Sequence, residues 1–113
     1  MDSMEIVRES GQSPDTAIFR LNGPFTLSTM FGLQNDLRAA DVKNVIIDLT
    51  NVPYMDSAGL GVLLGQTAHC QRLGNKMALA GVSPRVLTIF EITHTDSMMS
   101  FFPTAEAADA SFA

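Results

Sequence analysis

Residues 44–49, Asn-Val-Ile-Ile-Asp-Leu, constrain the fold more than any other stretch of the chain. Val45, Ile46 and Ile47 are consecutive β-branched aliphatic residues, so a strand made from them has no polar face. Strands of that kind are buried on both faces and are typical of parallel sheets. Parallel neighbours need long crossover connections, usually helices, so the flanking sequence has to supply them.

It does so on both sides. Met30, Leu33 and Leu37 recur at i, i+3 and i+7, one face of a helix, with Thr26 and Ser28 as candidate N-caps. From Ser57 onward, Leu60, Leu63, Leu64 and Thr67 share a helical face. Gly74 falls just past the end of that helix, and Arg72 lies near the negative end of its dipole. Residues 76–82 read as the next strand. Ser83-Pro84 reads as a capped helix start, with Val86, Leu87 and Phe90 as the buried stripe. Residues 97–102, which hold Met98, Met99, Phe101 and Phe102, read as a last short strand packed into the core rather than as an exposed binding patch. Residues 104–113 read as a terminal helix. Ahead of all this, residues 4–10 and 15–23 read as a hairpin around the turn at 11–15, with Ala17, Phe19 and Leu21 alternating with Ile18 and Arg20. The order β-β-α-β-α-β-α-β-α predicts one α/β domain over residues 1–113, a mainly parallel mixed sheet with helices packed on it.

Composition narrows the function classes. The formal charge is −5, from 12 acids against 7 bases, and the bases are scattered rather than clustered. Phosphate-backbone binding calls for clustered Lys and Arg, so nucleic acid is not the expected partner. A protein partner with a basic face suits an acidic surface better. There is no apolar run of 18 residues, which argues against membrane insertion, and the N-terminal decapeptide lacks the apolar core of a signal peptide. Cys70 is the only cysteine, so no internal disulfide can form and a reducing, cytoplasmic setting is expected. His69 reads as a surface residue, no ligand spacing suggests a metal, and no cofactor motif is present.

The sharpest feature is the stretch Tyr54-Met55-Asp56-Ser57-Ala58-Gly59-Leu60-Gly61. Ser57 allows three readings. A nucleophile would need a base within hydrogen-bond reach. His69 lies 12 residues along the same helix, roughly 18 Å away at 1.5 Å per residue. The strained Gly-x-Ser-x-Gly elbow would need glycine at 55, where the chain has Met55. A second reading is plain capping, with Asp56 as N-cap and Ser57 as the first helical residue. Capping needs no glycines, however, and a helix-interior glycine costs about 0.5–1 kcal/mol relative to alanine. Gly59 and Gly61 in quick succession suggest that something approaches the backbone closely. The third reading is a modification site, because a hydroxyl at a helix N-terminus faces solvent and tolerates a phosphate. Tyr54 and Met55 are either buried supports or partner contacts.

Val45–Leu64 followed by residues 76–93 resembles the STAS domain, the sulphate-transporter and anti-sigma-factor-antagonist family, and most of all its small bacterial antagonists. The resemblance spans nearly the whole chain and rests on Asp-Ser-x-Gly-Leu-Gly at Asp56–Gly61 after the Val-Ile-Ile-Asp-Leu strand. It implies a non-enzymatic binding protein. Its partners would be an anti-sigma factor that is itself a serine kinase, a cognate phosphatase and, weakly, a second copy of the chain. The kinase would phosphorylate the position of Ser57 and so end the binding, with Asp56 and Gly59 matching the flanking motif. The expected contact surface is Thr26, Tyr54, Met55, Asp56, Ala58, Gly59, Leu60 and Gly61. A STAS subunit of a transporter or other signalling complex, not switched by phosphate, is the alternative. The chain departs from the pattern in one loop: where many antagonists resemble Gly-Glu-Leu-Asp, it has Gly23-Pro24-Phe25-Thr26, with Thr26 where the acid often falls.

Overall fold

The computed structural model of the chain describes residues 3–113, so Met1 and Asp2 of the N-terminal decapeptide lie outside the described residues. The strands are β1 (Glu5–Ser10), β2 (Thr16–Asn22), β3 (Asn44–Asn51), β4 (Met77–Ala80) and β5 (Phe101–Phe102). The helices are α1 (Met30–Ala39), α2 (Ser57–Leu73), α3 (Pro84–Ile92) and α4 (Ala105–Phe112), with one 3-10 turn at Asp96–Met98. The five strands form one sheet in the order β1-β2-β3-β4-β5. β1 and β2 are the antiparallel hairpin, and every later pairing is parallel.

The unbroken apolar run at 45–47 has its explanation in the two faces of β3. Val45, Ile47 and Leu49 point into a core shared with Phe19, Leu21, Leu33, Leu63 and Phe90, on the side of α1, α2 and α3. Ile46 points the other way, into a second cluster with Ile18, Ala78, Ala80, Ala105 and Ala108, under α4. The alanines on β4 and α4 let that helix lie close to the sheet. Polar groups fix its position. Arg20 donates to Glu9 on β1, to Asp48 on β3 at 2.7 Å and to Glu106 on α4 at 2.7 Å. The Gln12 amide donates to both carboxylate oxygens of Asp109.

Local signals set most boundaries. The Asp56 carboxylate caps α2, the Ser83 hydroxyl accepts from the Val86 amide at the start of α3, and Thr104 caps α4. Gly74, at φ +71°, closes α2 in the left-handed conformation that glycine adopts most readily. Two expectations need correction. The residue preceding α1 is Thr29, not Thr26 or Ser28; the hydroxyls of Thr26 and Ser28 bond each other at 3.0 Å, while the Thr26 carbonyl accepts the Met30 amide. Residues 97–102 are only partly strand: Met98 belongs to the 3-10 turn and is 54% exposed, Met99 packs on the core, and Phe101–Phe102 alone pair with β4.

Candidate functional site

Parallel strands in sequence order, each followed by a helix, bring the N-termini of α2 and α3 to the carboxyl edge of the sheet, where open α/β sheets bind their ligands. The loop at 52–56 delivers the chain to α2 along that edge, and the loop at 23–29 runs beside it. The two are joined by a one-residue parallel bridge between Phe25 and Met55. The Phe25 amide donates to the Tyr54 carbonyl at 3.1 Å, and the Asp56 amide donates to the Phe25 carbonyl at 3.3 Å.

Asp56 is the keystone. Its Oδ1 accepts the amides of Ala58 at 2.9 Å and Gly59 at 3.0 Å, and its Oδ2 accepts the amide of Leu27 at 3.0 Å. One carboxylate therefore caps α2 and pins the neighbouring loop to it. Partial burial alone would raise its pKa, but the three amide donors from Gly59, Leu27 and Ala58 prevail and hold it below the ordinary carboxylate value.

Ser57, the first residue of α2, is exposed, and among the described residues its hydroxyl has no hydrogen-bond partner. Neither histidine is near it. His69 lies in the C-terminal half of α2, exposed and bonded to Arg72. His94 follows the C-terminal end of α3, while the N-terminal end of that helix is the one that reaches Tyr54 through Arg85. The arrangement supplies an exposed hydroxyl on a fixed backbone, with neither histidine beside it among the described residues.

The other expected contact residues divide. Thr26, Tyr54, Met55 and Ala58 are half-buried around Ser57, and Gly61 is exposed one turn along α2. Gly59 and Leu60 are buried, Leu60 with 4% exposure, so their side of the helix faces the core. The reason for Gly59 is internal: a Cβ there would stand 2.5 Å from the Phe25 carbonyl oxygen and 2.8 Å from Met55 Cγ. The close approach expected from the glycines is thus made, at Gly59, by the protein's own loop. Two features escaped the sequence reading. Leu27 and Phe31 are 60% and 55% exposed beside this turn. Phe31 stands off the buried stripe of Met30, Leu33 and Leu37, which was the one available signal. The Arg85 guanidinium lies 5.3 Å from the centre of the Tyr54 ring, a contact between residues 31 apart in sequence.

Comparison with known proteins shows the family and the fold. The family model for the STAS domain matches residues 8–108. An anti-sigma-B factor antagonist of Staphylococcus aureus is 29% identical over 75 residues, covering 66% of this chain and 69% of that protein. Among solved structures, the Bacillus cell fate determinant SpoIIAA in its phosphorylated form superposes with a TM-score of 0.74 at 21% identity, covering 95% of this chain and 99% of that one. A sulfate transporter family protein from Wolinella succinogenes has the same fold, with a TM-score of 0.72 at 23% identity over 88% of this chain and 85% of that one.

Proposed function

The chain belongs to the STAS domain family, and from that premise we propose that it is an anti-sigma factor antagonist whose binding is switched off by phosphorylation of Ser57. The observation that carries the reading is the Ser57 hydroxyl itself: exposed, unbonded among the described residues, and set at the start of a helix that Asp56 holds to the neighbouring loop. The name of the Staphylococcus relative supports the antagonist role. The protein acts by binding and not by catalysis, in the cytoplasm. Its partner is an anti-sigma factor with serine kinase activity, and a phosphatase restores the hydroxyl.

The switch works by local charge. A phosphoserine adds roughly −1.5 to −2 charge. At Ser57 that charge sits next to the Asp56 carboxylate, on a chain already at −5, and inside a contact shaped for a hydroxyl. Like charges forced together at an interface cost several kcal/mol, and each 1.4 kcal/mol is about tenfold in affinity. A loss of about a hundredfold needs no refolding. Thr26, in place of an acid, leaves the adjoining loop uncharged at that position, which suits a partner other than one selected by an acidic loop.

The test is titration of the partner anti-sigma kinase, with mass spectrometry after incubation with ATP. One phosphate is expected, on Ser57. Ser57→Ala keeps the fold, binds, and stays bound in ATP, whereas Ser57→Asp binds more weakly, and more so at low salt. Phosphate on another residue, or wild-type binding by Ser57→Asp, refutes the switch. The second reading, a constitutive STAS subunit of a transporter, has in its favour the shared fold of the Wolinella protein and would then take its place.

A further inference from the structure

Ser57 is flanked on two sides by groups that its phosphorylation does not use. On one side are Leu27 and Phe31, four residues apart where the loop turns into α1, both more than half exposed. The Leu27 amide is bonded to Asp56, so this apolar pair abuts the first turn of α2. On the other side is Arg85, in the first turn of α3. It lies over the ring of Tyr54, three residues before Ser57, and borders a shallow crevice with Ser83, Thr50, Asn51 and Gly23.

Arg8 lies over Phe19 and Lys76 over Phe112 in the same way, but Arg85 is the cation whose ring, Tyr54, belongs to the loop that leads into Ser57. The ion pairs among the described residues all converge on Arg20, and Arg85 is exposed with no carboxylate partner among those residues. Stacking on an aromatic face holds a guanidinium in place while leaving its N–H edge free to donate. A cation fixed in that way loses little conformational freedom when a carboxylate arrives. Meanwhile the one acid at the site, Asp56, has its oxygens turned to three backbone amides. The face around Ser57 is therefore apolar on one flank and cationic on the other, on a protein that is acidic as a whole.

We propose that Arg85 on the Tyr54 ring and the Leu27–Phe31 pair are the specificity determinants of this face, fitting a partner surface that sets a carboxylate against Arg85 and an apolar patch against Leu27 and Phe31. This rests on the reading of the Ser57 face as the docking site. The two flanks have different signatures. The Arg85 contact is electrostatic and weakens with salt; the apolar contact is not screened.

The experiment is calorimetric titration of the purified anti-sigma kinase against wild type, Ser57→Asp, Arg85→Glu, Arg85→Lys and the double variant Leu27→Ser/Phe31→Ser, each checked for native circular dichroism. Charge reversal at Arg85 is expected to weaken binding about tenfold or more at low salt and less at high salt, with Arg85→Lys recovering part of the loss. The double variant is expected to lose about tenfold with little salt dependence. An acid-to-arginine change on the kinase should restore binding to Arg85→Glu. If Ser57→Asp weakens binding while Arg85→Glu and the double variant stay within about twofold of wild type, the proposal falls and the docking site stands. If Ser57→Asp has no effect, or wild type does not bind, the docking reading falls and takes the proposal with it.

Discussion

A Cβ built on Gly59 meets the Phe25 carbonyl oxygen at 2.5 Å, whereas one built on Gly61 or Gly65 meets nothing within 4 Å. The same substitution should therefore have opposite signs within one helix. Gly61 and Gly65 lie inside α2, where replacing glycine by alanine gains about 0.5–1 kcal/mol through lost freedom in the unfolded chain. At Gly59 the clash is with backbone. The Phe25 carbonyl cannot retreat easily, because it accepts the Asp56 amide while the Phe25 amide is tied to Tyr54. Overpacking of this kind costs typically 1–3 kcal/mol, so after the alanine gain Gly59→Ala should lose about 1–2 kcal/mol. Urea and thermal melts followed by far-ultraviolet circular dichroism read this directly. Each stabilised variant should melt roughly 2–5 °C higher, and Gly59→Ala lower by a similar or larger amount. A neutral Gly59→Ala, or a Gly61→Ala that melts below wild type, would refute the reasoning, because it would mean that the backbone approach at Phe25 does not decide where glycine is needed.

Asp56→Ala removes the acceptor of three amides and should destabilise the domain by about 2 kcal/mol in urea melts, with faster hydrogen exchange at Leu27, Ala58 and Gly59. Since the folded-state pKa of Asp56 lies below its unfolded value of 3.8, its contribution is present above that value and is lost as the pH falls through the lower folded one; the Asp56→Ala and wild-type stabilities should converge as the acid is titrated. Cys70 is 2% exposed and burial pushes its thiol up, so it should resist a thiol-specific reagent in the native protein at neutral pH and react on unfolding; rapid native labelling would contradict its placement. Ile47, fully buried between Phe19 and Leu79 in the sheet, should not tolerate aspartate, and an Ile47→Asp protein with the native melting curve would overturn the position of β3.

What could be read in advance was whatever is written locally. Val45-Ile46-Ile47 announces a strand covered on both sides, and the structure covers it with α1–α3 on one side and α4 on the other. Asp56 before Ser57, Ser83 before Pro84, and Gly74 after the last helical turn are capping chemistry within a few residues. The misreadings depend on residues far away in sequence. Thr26, Ser28 and Thr29 are similar cap candidates by composition; the choice among them falls in a loop tied to Asp56, 29 residues from the Leu27 that it holds. Gly59 is required by the approach of Phe25, 34 residues earlier. Met98 belongs to an apolar run and would have been core had the chain not turned through 96–98 before pairing with β4. The apolar Leu27 and Phe31 and the stacked Arg85 are visible as residues, but their meeting around one hydroxyl is tertiary.

The sheet is also laid down in the order in which it is written. No strand has to slide between two that are already paired: β2 meets β1, β3 meets β2, β4 meets β3 and β5 meets β4. A chain emerging from a ribosome can add each strand to an edge already waiting, each parallel pairing closing one crossover, as from Thr16 to Asn44, from Val45 to Met77 and from Leu79 to Phe101. One surface is excepted. The strip of Ile18, Ile46, Ala78 and Ala80 stays wet until Ala105–Phe112 has been made and can lie across it, with Glu106 reaching Arg20 and Asp109 reaching Gln12. Nascent chains halted before that point would carry an uncovered apolar band beside an otherwise formed sheet, and quality-control proteases and chaperones could tell them from finished molecules by that band alone.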